Sequence, residues 1–173
     1  GSNQRSDAYG GDVTGRVRFA KEVVEAMASA IGAGRVGFRL CPGNPYNDID
    51  DQDPAATAAA LCEAVAPLGL AYLHIMRSPL ADLNAFALAR QHSPHALILN
   101  DGFDGPSASA ALASGEGAAV SFARHFIANP DLVERLKRGL PLTRFDRKTL
   151  YTPGSAGYSD YPAYQANAQE VAQ

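Results

Sequence analysis

Leu70-Ala71-Tyr72-Leu73-His74-Ile75 is a run with a single strongly polar member, His74, and it is too short for an ordinary helix, so it reads as a β-strand. Three similar runs stand elsewhere in the chain: Val36-Gly37-Phe38-Arg39-Leu40, closed by Cys41-Pro42-Gly43; Ala96-Leu97-Ile98-Leu99; and Ala118-Ala119-Val120-Ser121-Phe122. They recur every 22 to 34 residues, which leaves room for a helix in each interval. Strands this short and continuously apolar predict a parallel sheet buried on both faces.

The intervals carry helical signals. Phe19, Val23, Val24, Met27 and Ile31 repeat at helical spacing and predict a helix over residues 17–31, ended by Gly32 and Gly34. Asp53-Pro54 offers an N-cap with proline at the first helical position, and the Ala-rich stretch beyond it puts Leu61, Val65 and Leu68 on one face. A weaker helix is expected over residues 81–91 and a short one over 107–113, ended by Ser114-Gly115. Asn129-Pro130-Asp131-Leu132 is expected to open a last helix running to Arg138, with Asn129 as its cap and Gly139 just beyond. The fold expected is α/β: a helix followed by four strand–helix units over residues 1–140. A polar extension over residues 141–173 follows, whose Tyr151, Tyr158, Tyr161 and Tyr164 are expected to pack rather than lie in pure solvent.

Composition narrows the function. With 173 residues the chain is expected to form one domain, and 15 Lys+Arg against 18 Asp+Glu gives a net charge of −3. That balance argues against a protein built to grip nucleic-acid phosphates or an anionic membrane surface. No apolar run approaches the ~20 residues of a transmembrane helix, and no secretion leader is expected. Cys41 and Cys62 make neither a disulfide framework nor a zinc cluster, so a reducing cytoplasm is the expected location. His92, His95 and His125 lack metal-ligand spacing, and the acidic loop of Asp48, Asp50, Asp51 and Asp53 lacks the pattern of a calcium loop.

In parallel α/β proteins ligands gather at the carboxyl ends of the strands, and in (β/α)₈ barrels phosphate commonly sits after the last two. Here the last two strands end in Asn100-Asp101-Gly102 and in Ala123-Arg124. A glycine lets backbone N–H groups approach an anion, and an arginine adds a bidentate donor. Together they make a candidate phosphate cradle; an ordinary turn and a surface arginine is the plainer reading. His74 could face a ligand, although a hydrogen-bonded structural role is commoner for a lone histidine. Cys41 reads as a small thiol near the same rim.

Longer motifs identify a family. Ser2-Asn3-Gln4-Arg5-Ser6-Asp7-Ala8-Tyr9-Gly10-Gly11 with Arg16-Val17-Arg18-Phe19 resembles the S-N-x-R-[ST]-D-x-Y-G-G-S-x-x-N-R-x-R-[FL] segment of Old Yellow Enzyme family ene-reductases. The resemblance continues through Gly69-Leu70-Ala71-Tyr72-Leu73-His74 and Phe126-Ile127-Ala128-Asn129-Pro130-Asp131-Leu132. It ends with Tyr151 and Gly157-Tyr158-Ser159-Asp160-Tyr161-Pro162. It implies the carboxyl-terminal half of an FMN-containing (β/α)₈ barrel that takes hydride from NAD(P)H and delivers it to the β-carbon of an activated alkene. By the same resemblance Arg16 is expected against the flavin N1/O2 edge, where a fixed cation stabilises negative charge on the reduced ring. Gly102 and Arg124 match the phosphate-binding positions, with Asp101 and Ala123 beside them, and Tyr151 matches an aromatic residue at the mouth of the substrate pocket.

Three positions depart from the family pattern: Asp101 where a glycine is usual, Ala123 where the backbone should approach closely, and Gly15 in place of an asparagine. The resemblance also implies that family members run to about twice this length. The groups that hold the substrate carbonyl and protonate its α-carbon would then lie in the other half. The partner expected is that half as a separate chain, or a second copy closing a pseudo-barrel. A non-catalytic flavin- or phosphate-binding half-barrel and a fragment made for assembly are the alternatives.

Overall fold

The computed structural model describes residues 1–165. The chain divides into two compact units, residues 1–121 and those from Phe122 onward. The first unit runs α1 (Val13–Ile31), β1 (Gly37–Leu40), α2 (Pro54–Val65), β2 (Tyr72–Met76), α3 (Ala85–His92), β3 (Leu97–Asn100), α4 (Gly105–Ala113) and β4 (Ala119–Ser121). The strands pair in sequence order, all parallel, with Leu40 beside Ile75, Ile75 beside Leu99, and Leu99 beside Val120. Each strand therefore reaches its neighbour through a helical crossover, as the spacing of the apolar runs implied.

The helix starts are set by side chains that satisfy otherwise unpaired N–H groups. The Asp12 carboxylate accepts from Gly15 N–H at 2.8 Å, Asp53 from Ala56 at 2.9 Å, and Asn84 from Ala87 at 3.1 Å. Asp104 and Ser107 cap α4 reciprocally. Asn84 explains why α3 begins at Ala85, four residues later than the sequence pattern suggested.

Along the strands, Leu40, Leu73, Ile75, Leu97 and Leu99 are buried, while the intervening Arg39 and Tyr72 are exposed and His74, Met76, Ile98 and Asn100 half-buried. The sheet thus buries one face rather than the two expected from its apolar runs. The other face is largely polar, because alternate positions on four adjacent strands place Arg39, His74, Asn100 and Ser121 together. On α1, Val17 and Val24 are buried, but the row Phe19, Val23, Met27 and Ile31 is exposed, Phe19 to 66%. Among the described residues no helix is long and apolar enough to cross a membrane.

The second unit contains α5 (Arg124–Ala128) and α6 (Leu132–Arg138). The five-residue α5 was not visible in the sequence, since one turn carries no periodicity and Ala123 supplies no side-chain cap. Asn129 does not cap α6, which starts three residues later with Asp131 at the cap position. Its fully buried amide is drawn elsewhere: it donates to the carbonyls of His125 (2.9 Å) and Thr143 (3.1 Å) and accepts from Thr143 N–H (2.7 Å). Arg135 is also buried, and bonds Asp131, the Pro141 and Pro162 carbonyls and the Thr143 hydroxyl. The extension is held by these groups over its described part; residues 166–173 of the expected extension lie outside the described residues.

Candidate functional site

The polar cluster on the open face of the sheet is built from one residue per strand. Arg39 Nη2 donates to Asn100 Oδ1 at 2.9 Å, and Arg39 Nη1 lies 3.1 Å from His74 Nδ1 and 2.8 Å from Nε2. His74 Nε2 is 2.7 Å from Ser121 Oγ, and Asn100 Nδ2 donates to that hydroxyl at 3.0 Å and to the Ser121 carbonyl at 3.2 Å. Every strand residue in the cluster is fixed by the register that pairs Arg39 with His74, His74 with Ile98, and Asn100 with Ser121. Burial and the neighbouring Arg39 charge both hold His74 below the usual histidine range, so the ring is neutral at pH 7.

Arg39 is the member of this cluster, and the candidate for a functional role, that the sequence reading passed over. The signal was available: an arginine inside an apolar strand, next to the buried Leu40, has to emerge on the opposite face. Arg16, expected by resemblance against a flavin, stands in the first turn of α1, half-buried, with Nη1 donating to the Gly11 carbonyl at 2.9 Å. The hydrogen bonds of the strand cluster run through Arg39, the guanidinium that the sheet itself presents.

At the carboxyl end of β3 the chain turns through Asp101 and Gly102, with φ of 75° and 74°. The left-handed conformation at Gly102 suits a residue without a Cβ, and one added there would lie 3.3 Å from Arg77 Nε. Arg77 Nε donates to the Asp101 carbonyl at 3.2 Å, and its guanidinium lies 5.0 Å from the Phe86 ring centre and 4.8 Å from that of Phe103. This turn brings two backbone N–H groups to the rim beside Asn100.

In the second unit, Ala123 directly precedes α5 and Arg124 opens it, with the Arg124 guanidinium 5.6 Å from the Phe145 ring centre. Tyr151 is almost wholly exposed, at 98%, whereas Tyr161 accepts from Asp146 N–H at 2.9 Å and Tyr164 N–H donates to Asp131 at 2.8 Å.

The donor set on the first unit is a guanidinium and a left-handed backbone turn, the Asn100 carboxamide being taken up by Arg39 and Ser121. It fits the oxygens of a flavin's pyrimidine ring and phosphate chemically: all are acceptors, and the groups facing them include donors that carry positive charge or are neutral.

Comparison with known proteins agrees. The profile of the NADH:flavin oxidoreductase / NADH oxidase family matches residues 1–143. A probable flavin mononucleotide-dependent alkene reductase of Leishmania infantum is 41% identical over 165 residues, covering 93% of this chain and 45% of that protein. The 12-oxophytodienoate reductase 2 of Arabidopsis thaliana is 34% identical, covering 96% and 46%. Among solved structures, the old yellow enzyme of Trypanosoma cruzi superposes with a TM-score of 0.89 at 35% identity, over 95% of this chain and 45% of that one. Morphinone reductase in complex with tetrahydroNAD gives 0.86 at 39%, over 95% and 46%. The chain spans about half the length of the curated relatives it matches, and its four parallel strands correspond to about half of a (β/α)₈ barrel. With its sequence motifs, its sheet and these relatives in agreement, the chain belongs to the NADH:flavin oxidoreductase / NADH oxidase family.

Proposed function

We propose that this chain is the cofactor-holding half of an FMN-dependent ene-reductase that uses NAD(P)H to reduce the C=C bond of activated alkenes. The observation that carries the reading is the Arg39–Asn100 pair on the open sheet face, beside the left-handed Asp101-Gly102 turn, in a chain of this family. When bound, FMN supplies hydride acceptance from the nicotinamide and hydride delivery to the alkene β-carbon.

The chain's own residues bind and tune. Arg39, in the role the resemblance gave to Arg16, is a fixed positive charge that favours the reduced, anionic pyrimidine ring. Asn100 keeps the guanidinium in one plane by accepting from Nη2. The N–H groups of the Asp101-Gly102 turn are assigned as phosphate donors. Ala123 and Arg124 are assigned to the phosphate by their motif, and Tyr151 to the substrate pocket.

The exposed row Phe19, Val23, Met27 and Ile31 supports a further half-barrel as partner, since a helix face this apolar is normally covered. Enones, enals and nitroalkenes are the substrate class, and the two free cysteines suit a cytoplasmic setting. The test combines this chain with the amino-terminal half of a relative, FMN, NADPH and 2-cyclohexenone, and follows NADPH oxidation. Turnover that disappears with Arg39→Met supports the reading. Stable association with bound FMN but no turnover overturns it.

A further inference from the structure

We propose that His74 is a positioning residue whose neutral imidazole holds the Arg39 guanidinium in its working orientation, and whose protonation releases it. The inference rests on the reading that FMN is held on this sheet face.

A guanidinium has only donors, so a ring nitrogen facing it must carry a bare lone pair. Arg39 Nη1 lies within hydrogen-bond distance of the His74 ring, and the ring's Nε2 is also 2.7 Å from Ser121 Oγ. A neutral ring keeps one nitrogen bare to accept from Arg39, whose Nη1 is 2.8 Å from Nε2 and 3.1 Å from Nδ1; with the Ser121 hydroxyl proton turned to Leu99, Nε2–H donates to Ser121 and Nδ1 is the bare nitrogen. Ser121 Oγ then accepts from Asn100 Nδ2 as well, and its own proton points to the Leu99 carbonyl at 3.4 Å. Arg39 is thereby gripped on two sides, by His74 and by Asn100, leaving its remaining N–H groups for a ligand.

An imidazolium cannot accept from Arg39, and it places a second cation against the first. Among the residues of the four strands nothing compensates. β1 contributes Arg39, β3 contributes Asn100 and β4 contributes Ser121; Tyr72 is the titratable neighbour on His74's own strand and face, and none of the four strands contains a carboxylate. The burial and the Arg39 charge that hold the His74 pKa down therefore match the geometry. Flavin affinity should fall as the pH drops below the ordinary histidine range.

The test has two arms. Nitrogen-15 histidine NMR on the full chain reads the state of His74 without any flavin. A neutral ring at pH 7, whose pKa rises in Arg39→Met, is expected; an imidazolium at pH 7, or a pKa unmoved by Arg39→Met, overturns the proposal. In the second arm, FMN binding to the completed barrel is followed by flavin fluorescence quenching. His74→Leu should weaken binding about tenfold, the loss of one hydrogen bond to a charged group. His74→Asn, which keeps an acceptor near the Nδ1 position, should restore most of it, and Arg39→Met with His74→Leu should be no weaker than Arg39→Met alone.

The FMN phosphate titrates near pH 6 as well, so the acid loss is read as the ratio of wild type to His74→Asn, which cancels that common contribution. A ratio that does not change with pH, or full affinity in a folded His74→Leu, overturns the inference while the functional reading stands. If neither the wild type nor any variant binds FMN, the functional reading fails and takes this inference with it.

Discussion

Arg77 donates Nε–H to the carbonyl oxygen of Asp101 at 3.2 Å, joining the carboxyl end of β2 to the turn after β3. The guanidinium lies close to the rings of Phe86 and Phe103, which are themselves stacked with centres 5.9 Å apart. A turn with two consecutive positive φ values is costly for Asp101, and Arg77 supplies a charged donor that holds it. Arg77→Met keeps the stem over the rings and removes the donor. It should lower stability by about 1 kcal/mol, in the range of one exposed hydrogen bond plus one cation–π contact. Urea unfolding measures this, and an unchanged midpoint would show that the turn holds itself.

Gly15 lies where α1 starts against the loop before it, and an added Cβ would fall 2.1 Å from the Gly10 carbonyl oxygen. Alanine gains up to about 1 kcal/mol of helix propensity but meets a backbone atom that cannot swing aside. Overpacking of this kind costs about 1–3 kcal/mol, so the clash wins. Gly15→Ala should destabilise by about 1 kcal/mol, and Gly15→Asn, which installs the residue usual in the family, should be worse. Thermal unfolding of both variants decides it; a stabilised Gly15→Asn would mean that the loop at Gly10 relaxes freely.

The framework was legible because its signals are local. Asp53 caps α2 by accepting from the N–H three residues on, and four apolar runs became four strands, whereas Asp12, Asn84 and Asp104, which cap in the same way, were not singled out. The site was legible only in part. Gly102 stood out because a strand end followed by glycine is a local pattern, but Arg39 depends on which way a strand residue faces. That direction is set by tertiary burial, which takes in Leu40 and leaves Arg39 exposed. Asn129 misled for a similar reason: Asn-Pro-Asp reads as a cap until Thr143, fourteen residues on, claims the amide.

His95 Nε2 accepts from the Leu70 backbone N–H at 2.8 Å, and its Nδ1 lies 2.7 Å from Ser93 Oγ. Burial holds its pKa below 6.5, as burial and Arg39 do for His74. Between the lowered folded values and the ordinary one, the unfolded chain binds more protons, so stability rises with pH in that window. The contribution is complete above about pH 6.5 and is lost as the pH falls through the folded values. Urea midpoints at pH 7.5 and pH 5 should differ, and His95→Gln, whose amide oxygen can still accept from Leu70, should flatten the difference. Equal slopes in both proteins would remove His95 from the account.

Cys41 is exposed just beyond β1, whereas Cys62 is wholly buried in α2 with its thiol pushed up to about 11 by that burial. Reaction requires an accessible thiolate, and Cys62 offers neither accessibility nor thiolate at neutral pH. One equivalent of thiol per chain should react rapidly with Ellman's reagent at pH 8, and Cys41→Ser should abolish that phase. Both cysteines should react in guanidinium chloride. Two fast equivalents in the native protein would contradict the packing of α2.

Asn129 joins three backbone groups of the second unit: its amide donates to the His125 and Thr143 carbonyls, and its oxygen accepts from Thr143 N–H. The residue is fully buried, so truncation strands polar groups away from water rather than exchanging protein bonds for solvent ones. Asn129→Ala should therefore cost about 3 kcal/mol, the penalty of orphaning several buried backbone groups after partial relaxation. Asn129→Asp separates the two halves of the bond set. It keeps the acceptor for Thr143 N–H but turns two donors into a buried negative charge facing two carbonyls, so it should be no more stable than the alanine variant. If the amide served only as a spacer, the near-isosteric aspartate would be tolerated and alanine would not. Urea unfolding together with limited proteolysis around residues 141–146 distinguishes these outcomes, because loss of the Asn129 grip frees the segment at Thr143 first.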